Sequence, residues 1–381
     1  MKKTLVCIIA QTRSHEVTWD KFEKNVLNEL NADLALCIGV TGNYNFNNPF
    51  WKNAKYKWKV SDYGEDYTDA FNYAQKVIYN KSTRKLPDWK ILLEIKDFWL
   101  GGIKDYTSGD KSHLDNFPKW KKDRVGSSSI LLFYRWLLLK KLIENNLIKK
   151  YNRFIITRSD FLWPIKHPPL NQMDEKYIWI PDGESFGGIT DRYALLNNSD
   201  VYEYLSVLNP ILTEPKMLYN LMKNKNKWNL EKYLKLYFEK IKPKLKLKYF
   251  PYIMYTVFPN PKETFEFKEF DGLNLEWMKT IYSKDKVSSI HKLIVKKPSE
   301  YLSSIIYANV IKNNNSWKNM NVLKIKFFFL AMLFFYVNKK ILKYFLETPN
   351  QIDWKIIENE INKLKKKGGF FNYIKSKYYI F

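Results

Sequence analysis

Two short stretches of the 381-residue chain hold the residues whose types and spacing could do chemistry. The first is Phe154–Asp160, FIITRSD, where an apolar run gives way to Arg158, Ser159 and Asp160. An aspartate just beyond a strand projects into the crevice where α/β sheets take ligands. Such a carboxylate can hold Mg2+ or Mn2+ against a diphosphate, because hard cations prefer oxygen ligands and keep open positions for phosphate. Arg158, two residues earlier, points to the same side of an extended chain and can pair with the same phosphates. A lone Arg-x-Asp is also the pattern of an ordinary surface ion pair. The second stretch is Asp182–Arg192, DGESFGGITDR. Gly187 and Gly188 let backbone approach a ligand closely or take positive φ. Asp182, Glu184 and Asp191 supply carboxylates for sugar hydroxyls or for general-base work. The competing reading is a plain turn in which Asp191 and Arg192 pair structurally.

Charge gives the arginines weight. The chain has 64 basic and 39 acidic residues, a net charge of +25, yet only seven of the basic residues are arginine. These are Arg13, Arg84, Arg124, Arg135, Arg153, Arg158 and Arg192. Lysine, asparagine and isoleucine abound, as in an A+T-rich coding sequence, so part of the charge need have no partner behind it. Where lysine is so favoured, each remaining arginine is a candidate for a place that needs a planar, bidentate fork.

The elements that must position these residues read as α/β. TLVCIIA (Thr4–Ala10) predicts a first strand, WDKFEKNVLNELN a helix with Thr18 as its N-cap, and ADLALCIGV a second strand. That order is the βαβ opening of a mixed sheet. The apolar start reads as a strand and not a leader, which sets a cytoplasmic expectation. Cys7 and Cys37 fall inside the two strands as small buried hydrophobes. Two cysteines exclude a disulfide scaffold and a Cys-rich zinc module. Residues 41–125 carry turn signals and a helix from about Tyr67 to Tyr79. The run after Gly126 reads as a buried helix whose serines either cap it or receive a phosphate. Arg135 within it is either paired in the core or reaching the site. Residues 201–245 look helical, and 247–300 mix short strands and loops.

The last 81 residues differ, with fourteen lysines, no arginine and four acidic residues. Phe327–Val337 is an unbroken apolar run flanked by lysines. It is too short to span a bilayer, so it reads as a buried helix or as an interfacial helix on an anionic leaflet. The expected division is residues 1–300 as the main domain and 301–381 as a basic, helical region. The four histidines show no metal-ligand spacing, although His291 could be a late ligand, and neither a Walker loop nor a G-x-S-x-G elbow occurs.

Several motifs stand in a suggestive order. GSSSILLFYRW (Gly126–Trp136) precedes TRSDF (Thr157–Phe161); IWIPDG (Ile178–Gly183), FGGITDRY (Phe186–Tyr193) and PYIMYTV (Pro251–Val257) follow. Over roughly residues 4–260 the chain resembles nucleotide-sugar-dependent glycosyltransferases of the GT-A fold, which assemble bacterial capsules and lipopolysaccharide and have relatives in large viruses. The resemblance implies a Rossmann-like mixed sheet flanked by helices, a nucleotide-sugar donor, a glycan or lipid-linked acceptor, and a divalent cation (Mn2+ or Mg2+) held by a D-x-D motif. Here that motif is Arg158-Ser159-Asp160: a cation replaces the first carboxylate, and Asp160 keeps the metal-binding position. Arg158 could therefore neutralise diphosphate charge itself. The resemblance places Arg13 against the nucleotide. It also places Gly187, Gly188, Asp191 and Arg192, in a G-G-x-x-D-R loop, near donor sugar and acceptor, and the transfer it implies makes Asp191 the first choice as base for the acceptor hydroxyl, with Asp182 and Glu184 behind it. The basic tail suits peripheral attachment at the inner face of a membrane. The competing functions are a lysine-rich nucleic-acid-binding protein, which lacks any RNP, KH or zinc-finger signature, and a non-catalytic membrane-associated protein with a degenerate transferase core.

Overall fold

The computed structural model describes residues 3–80, 85–95, 99–103, 128–163, 166–182, 185–225, 228–251 and 254–256. The expected tail helix over Phe327–Val337, His113, His291 and most of the 101–125 loop lie outside these residues. In chain order the main elements are β1 (Thr4–Ala10), α1 (His15–Phe22), β2 (Asp33–Val40), β3 (Tyr56–Ser61), α2 (Thr68–Tyr79) and α3 (Ser128–Glu144). Then come β4 (Arg153–Thr157), β5 (Phe161–Leu162), β6 (Ile178–Asp182), β7 (Ala194–Asn197), α4 (Leu230–Leu236), β8 (Leu247–Pro251) and β9 (Tyr255–Thr256). They fall into two compact units. The first takes Met1–Thr12, Asp33–Arg158 and Ser185–Lys246; the second takes Arg13–Ala32, Ser159–Glu184 and the described residues from Leu247 onward.

The first unit is built on strands in the order β3-β2-β1-β4-β7. β1, β2, β3 and β4 run parallel, and β7 lies antiparallel to β4. This is the mixed, Rossmann-like α/β class the sequence led us to expect. Leu5, Val6, Cys7 and Ile8 of β1 are wholly buried, as are Ala35, Leu36, Cys37 and Ile38 of β2. A continuous apolar run is what a central parallel strand needs when both faces are covered. Both cysteines are free, and burial pushes their thiols up, so they act as small hydrophobes. α3 covers β1 and β2. Eleven of its residues are buried, which explains why it is apolar on nearly all sides. β3 closes the edge and alternates half-buried Tyr56, Trp58 and Val60 with exposed Lys57, Lys59 and Ser61.

The second unit contains α1, the parallel pair β6–β8 and the antiparallel ribbon β5–β9. α1 begins earlier than the sequence suggested. Ser14, in the left-handed region at φ 57, precedes it, and Thr18 lies in its first turn with its hydroxyl donating to the Ser14 carbonyl at 3.0 Å. The polar residues His15 and Glu16, which precede the apolar-periodic run, form the first turn of the helix, where polar residues are at home. Downstream, a π-helical turn over Glu23–Leu27 frees the Asn25 carbonyl to accept the His167 amide at 2.8 Å. The Asn25 side-chain amide donates to the Trp163 carbonyl at 2.7 Å. His167 is fully buried and hydrogen-bonded, as expected of a histidine without metal-ligand spacing. No helix among the described residues is long and apolar enough to cross a membrane.

Candidate functional site

In the first unit β2 and β3 lie to one side of β1, and β4 lies to the other. A reversal of this kind opens a crevice at the carboxyl ends of the flanking strands, the usual ligand site of open α/β sheets. The residues gathered at that edge can be read off the chain. β1 runs out into Gln11 and Thr12, β3 into Asp62, and β4 into Arg158. β7, antiparallel to β4 with Ala194 opposite Ile156, brings in the segment before it, including Asp191 and Arg192. The Thr157 hydroxyl donates to the Arg192 carbonyl at 3.3 Å and ties that segment to the end of β4.

Asp191 is held through its backbone. The guanidinium of Arg135, on α3, donates from Nη2 to the Asp191 carbonyl at 2.8 Å. Its Cζ lies 5.9 Å from the Tyr204 ring centroid. Arg135 is only 1% exposed, and its Nε and Nη1 find no acceptor among the described residues. The sequence left two readings of this residue open, core pairing or reach toward the site; the structure shows it deep in the core, reaching the site by one hydrogen bond. Burial raises the Tyr204 phenol, Asp191 reinforces that shift and Arg135 opposes it, so all three groups share one field. The Asp191 carboxylate itself is half-buried and forms neither a hydrogen bond nor an ion pair with another described residue. Arg192 lies with its Cζ 6.0 Å from the exposed Phe186 ring, and the competing reading, a structural Asp191–Arg192 pair, is not among the ion pairs of the described residues.

Gly187 and Gly188 do need to be glycine. Gly187 sits at φ +85, and a Cβ on Gly188 would collide with the Glu231 carbonyl and the Lys232 amide. The close approach they permit is therefore to protein: the Ile189 amide donates to the Glu231 carbonyl at 2.9 Å. Asn229 completes the seam by capping α4, accepting from the Lys232 amide at 2.8 Å and donating to the Phe186 carbonyl at 3.0 Å. Of the two uses expected of paired glycines, positive φ is seen at Gly187 and close backbone approach at Gly188, where the neighbour is α4. Ser129 likewise bonds within the protein, its hydroxyl to Leu100 and its amide to Gly101, rather than facing outward to receive phosphate.

A polar group that the sequence reading passed over lies at the ends of β1 and β3. Asp62 accepts from Gln11 Nε2 at 3.0 Å, from the Gly64 amide at 2.9 Å and from the Tyr67 hydroxyl at 3.3 Å. Burial first, and Asp62 after it, push the Tyr67 phenol up, so it stays a donor. The Tyr44 hydroxyl shares a 2.7 Å hydrogen bond with Thr12, which sets an aromatic group of Tyr44, Phe46 and Trp51 beside them. The signal was available: Asp62 directly follows an alternating strand, as Asp160 follows an apolar one.

In the second unit Arg13 and Asp160 form an ion pair, Nη2 to Oδ2 at 3.2 Å. The Ser159 hydroxyl donates to the Arg13 carbonyl at 3.1 Å. Asp182 is the last residue of β6, and Glu184 lies outside the described residues. The expected divalent cation would draw on Asp160 and on the donor's phosphate oxygens, since hard cations at diphosphates use one or two carboxylates. Among the described residues no group of three or more His, Cys, Asp or Glu side chains could hold a metal. In the structure Asp160 engages an arginine, and the residue two before it is another arginine.

No protein-family model and no curated protein sequence matches the chain. Among solved structures, the crystal structure of mouse xyloside xylosyltransferase 1 in its apo form aligns with a TM-score of 0.31 and 10% identity, covering 66% of this chain and 85% of that one.

Proposed function

We propose that the protein is a glycosyltransferase of the GT-A type that moves a sugar from a nucleotide-diphosphate donor to an acceptor hydroxyl. The observation that carries this reading is Asp191: a carboxylate fixed through its backbone at the edge where the strand order reverses, with its oxygens committed to no described residue. A general base needs that combination of fixed position and open oxygens. In the transfer, the acceptor oxygen bonds to the anomeric carbon, and the bond from that carbon to the diphosphate oxygen breaks. The electron pair of that bond leaves with the diphosphate, and the acceptor proton passes to the Asp191 carboxylate. The sugar acquires oxocarbenium character while the leaving group gains charge. Arg158, at the end of β4, is placed to meet anionic charge at this edge. Gln11, Asp62 and Tyr44, at the ends of β1 to β3, suit a nucleoside, with hydroxyl acceptors beside an aromatic face. Asp182 and Glu184 remain alternative carboxylates. The acceptor class that the resemblance supplies is a glycan or lipid-linked glycan of surface-polysaccharide synthesis, met at the inner face of a membrane by the basic C-terminal region.

The test is to titrate the protein with a panel of UDP- and GDP-sugars and to follow donor hydrolysis or transfer. Saturable binding of at least one donor is expected, with turnover lowered at least about a hundredfold in Asp191→Asn. Absence of binding across the panel ends the reading.

A further inference from the structure

Phe186 occupies a position that neither burial nor backbone preference explains. Its φ is 43, in the left-handed region, where a bulky side chain is an outlier. Six described non-glycine residues have positive φ; three are asparagine, which tolerates that region, and Ala10 and Ser14 are small. Phe186 is the bulky one. It is also 52% exposed, the largest value among the big apolar residues described. An aromatic ring usually finds its place by burying its area, and this one does not.

The first unit holds this conformation in place by itself. Gly187 follows at φ +85, the Gly188 amide donates to the Ser185 carbonyl at 2.7 Å, and the Asn229 side chain donates to the Phe186 carbonyl at 3.0 Å. The Ile189 amide is tied to the Glu231 carbonyl, so the turn cannot relax without breaking the seam with α4. The chain then doubles back. The Arg192 guanidinium carbon lies over the Phe186 ring, 6.0 Å from its centre, although six positions separate the two residues. The ring therefore stands beside the Asp191–Arg192 segment. Backbone strain that the surroundings maintain collects at ligand sites, and here it presents an aromatic face next to the carboxylate read as the base.

We propose that Phe186 is the stacking platform for the acceptor sugar, taking the apolar face of a pyranose ring whose hydroxyl meets Asp191. This rests on the reading of Asp191 as the base of a sugar transfer. The π-face of an aromatic ring is electron-rich, and the C–H bonds on one face of a pyranose carry partial positive charge. The two attract, while the sugar hydroxyls stay at the rim for polar groups. Arg192 lies over one face of the ring, drawn by the same quadrupole, and the sugar is assigned to the other. Stacking fixes the plane of the acceptor, and a carboxylate beside that plane selects the hydroxyl within its reach.

The test uses the full chain with methyl β-glucoside, methyl β-galactoside and methyl α-mannoside, which carry no aromatic group of their own. Binding is followed by saturation-transfer difference NMR, with UDP and GDP titrated in parallel. At least one glycoside should bind, with the strongest transfer to the ring protons of one face. Phe186→Gly suits the positive φ, so it should keep its Tm while weakening that glycoside about tenfold. Phe186→Leu should weaken it similarly and Phe186→Trp should retain it, since the sugar uses the π-face and not apolar bulk. The proposal is overturned if no glycoside binds, or if Phe186→Gly or Phe186→Leu binds the glycoside as wild type does. It is also overturned if the loss falls on UDP or GDP in place of the glycoside, which would make the ring a nucleobase platform. A glycoside held by Phe186 with no sugar nucleotide bound would leave the platform standing and remove the transferase reading. Sugar-nucleotide turnover with no glycoside bound would do the reverse.

Discussion

A carboxylate that must take a proton cannot also be tied up in the fold, and Asp191 meets that condition by being anchored through its carbonyl. Asp191→Asn keeps the shape and the Arg135 contact but removes the base. Turnover should fall by a factor of about 10²–10⁴, the range for general-base catalysis, while donor binding changes little; single-turnover rates beside equilibrium titration check this. Arg135 makes the complementary case. Its buried charge is only partly satisfied, and an apolar replacement of similar length is often neutral or stabilising at such sites. Arg135→Met should therefore keep or raise Tm. It should also free the Asp191 segment, lower kcat about tenfold and speed amide exchange at Ile189 and Arg192. A Tm fall with unchanged kcat would mean that Arg135 serves only the core. Asp191 was legible in the sequence from its carboxylate next to paired glycines. Arg135 was visible as an arginine in an apolar helix, but its role was not, because its partner lies 56 positions away in the chain.

At the scale of elements, the glycine loop and α4 form one seam. Gly188→Ala forces a Cβ into the Glu231–Lys232 backbone. It should cost about 3 kcal/mol, or a Tm drop of about 6–12 °C. Gly187→Ala, strained only by its positive φ, should cost about 1 kcal/mol. Asn229→Ala removes the α4 cap and should also cost about 1 kcal/mol; thermal scans of the three rank them. β2, β3 and the turn before β4 are pinned by Asp33, which accepts from Lys55 at 2.6 Å and from the Tyr151 hydroxyl. Burial opposes ionisation of Asp33, but the hydrogen bonds from Lys55 and Tyr151 outweigh it and hold the carboxyl below its ordinary range. A depressed carboxyl stabilises the fold above its unfolded value and loses that contribution as pH falls through the folded one. Asp33→Asn should thus lower Tm at neutral pH, and the two curves should converge as pH falls through the depressed folded value. The lysines of β3 have a plainer role, since cationic side chains on an edge strand discourage pairing with other chains.

For the whole molecule, the chain passes between the two units several times, so neither is a continuous segment. β6 pairs with β8, and β5 with β9, across some 70 to 95 residues. A chain ending at Lys246 keeps every strand of the first unit yet leaves β5 and β6 without those partners. It should show lost near-ultraviolet dichroism and increased dye binding. The order of residue types shows nothing of this interleaving, because pairing of distant segments leaves no periodicity in either of them.

What the sequence determined by itself is what local physics can write into it. The two buried strands, the span of α2 and the apolar α3 follow from residue patterns, and so do the places where aspartates and arginines stand at strand ends. Which group faces which was decided only by tertiary structure. Asp160 is equally suited to a metal ion and to an arginine, and the glycine pair to a ligand and to a helix end. Charge and backbone geometry specify a need for a partner, and only folding brings one within bonding distance.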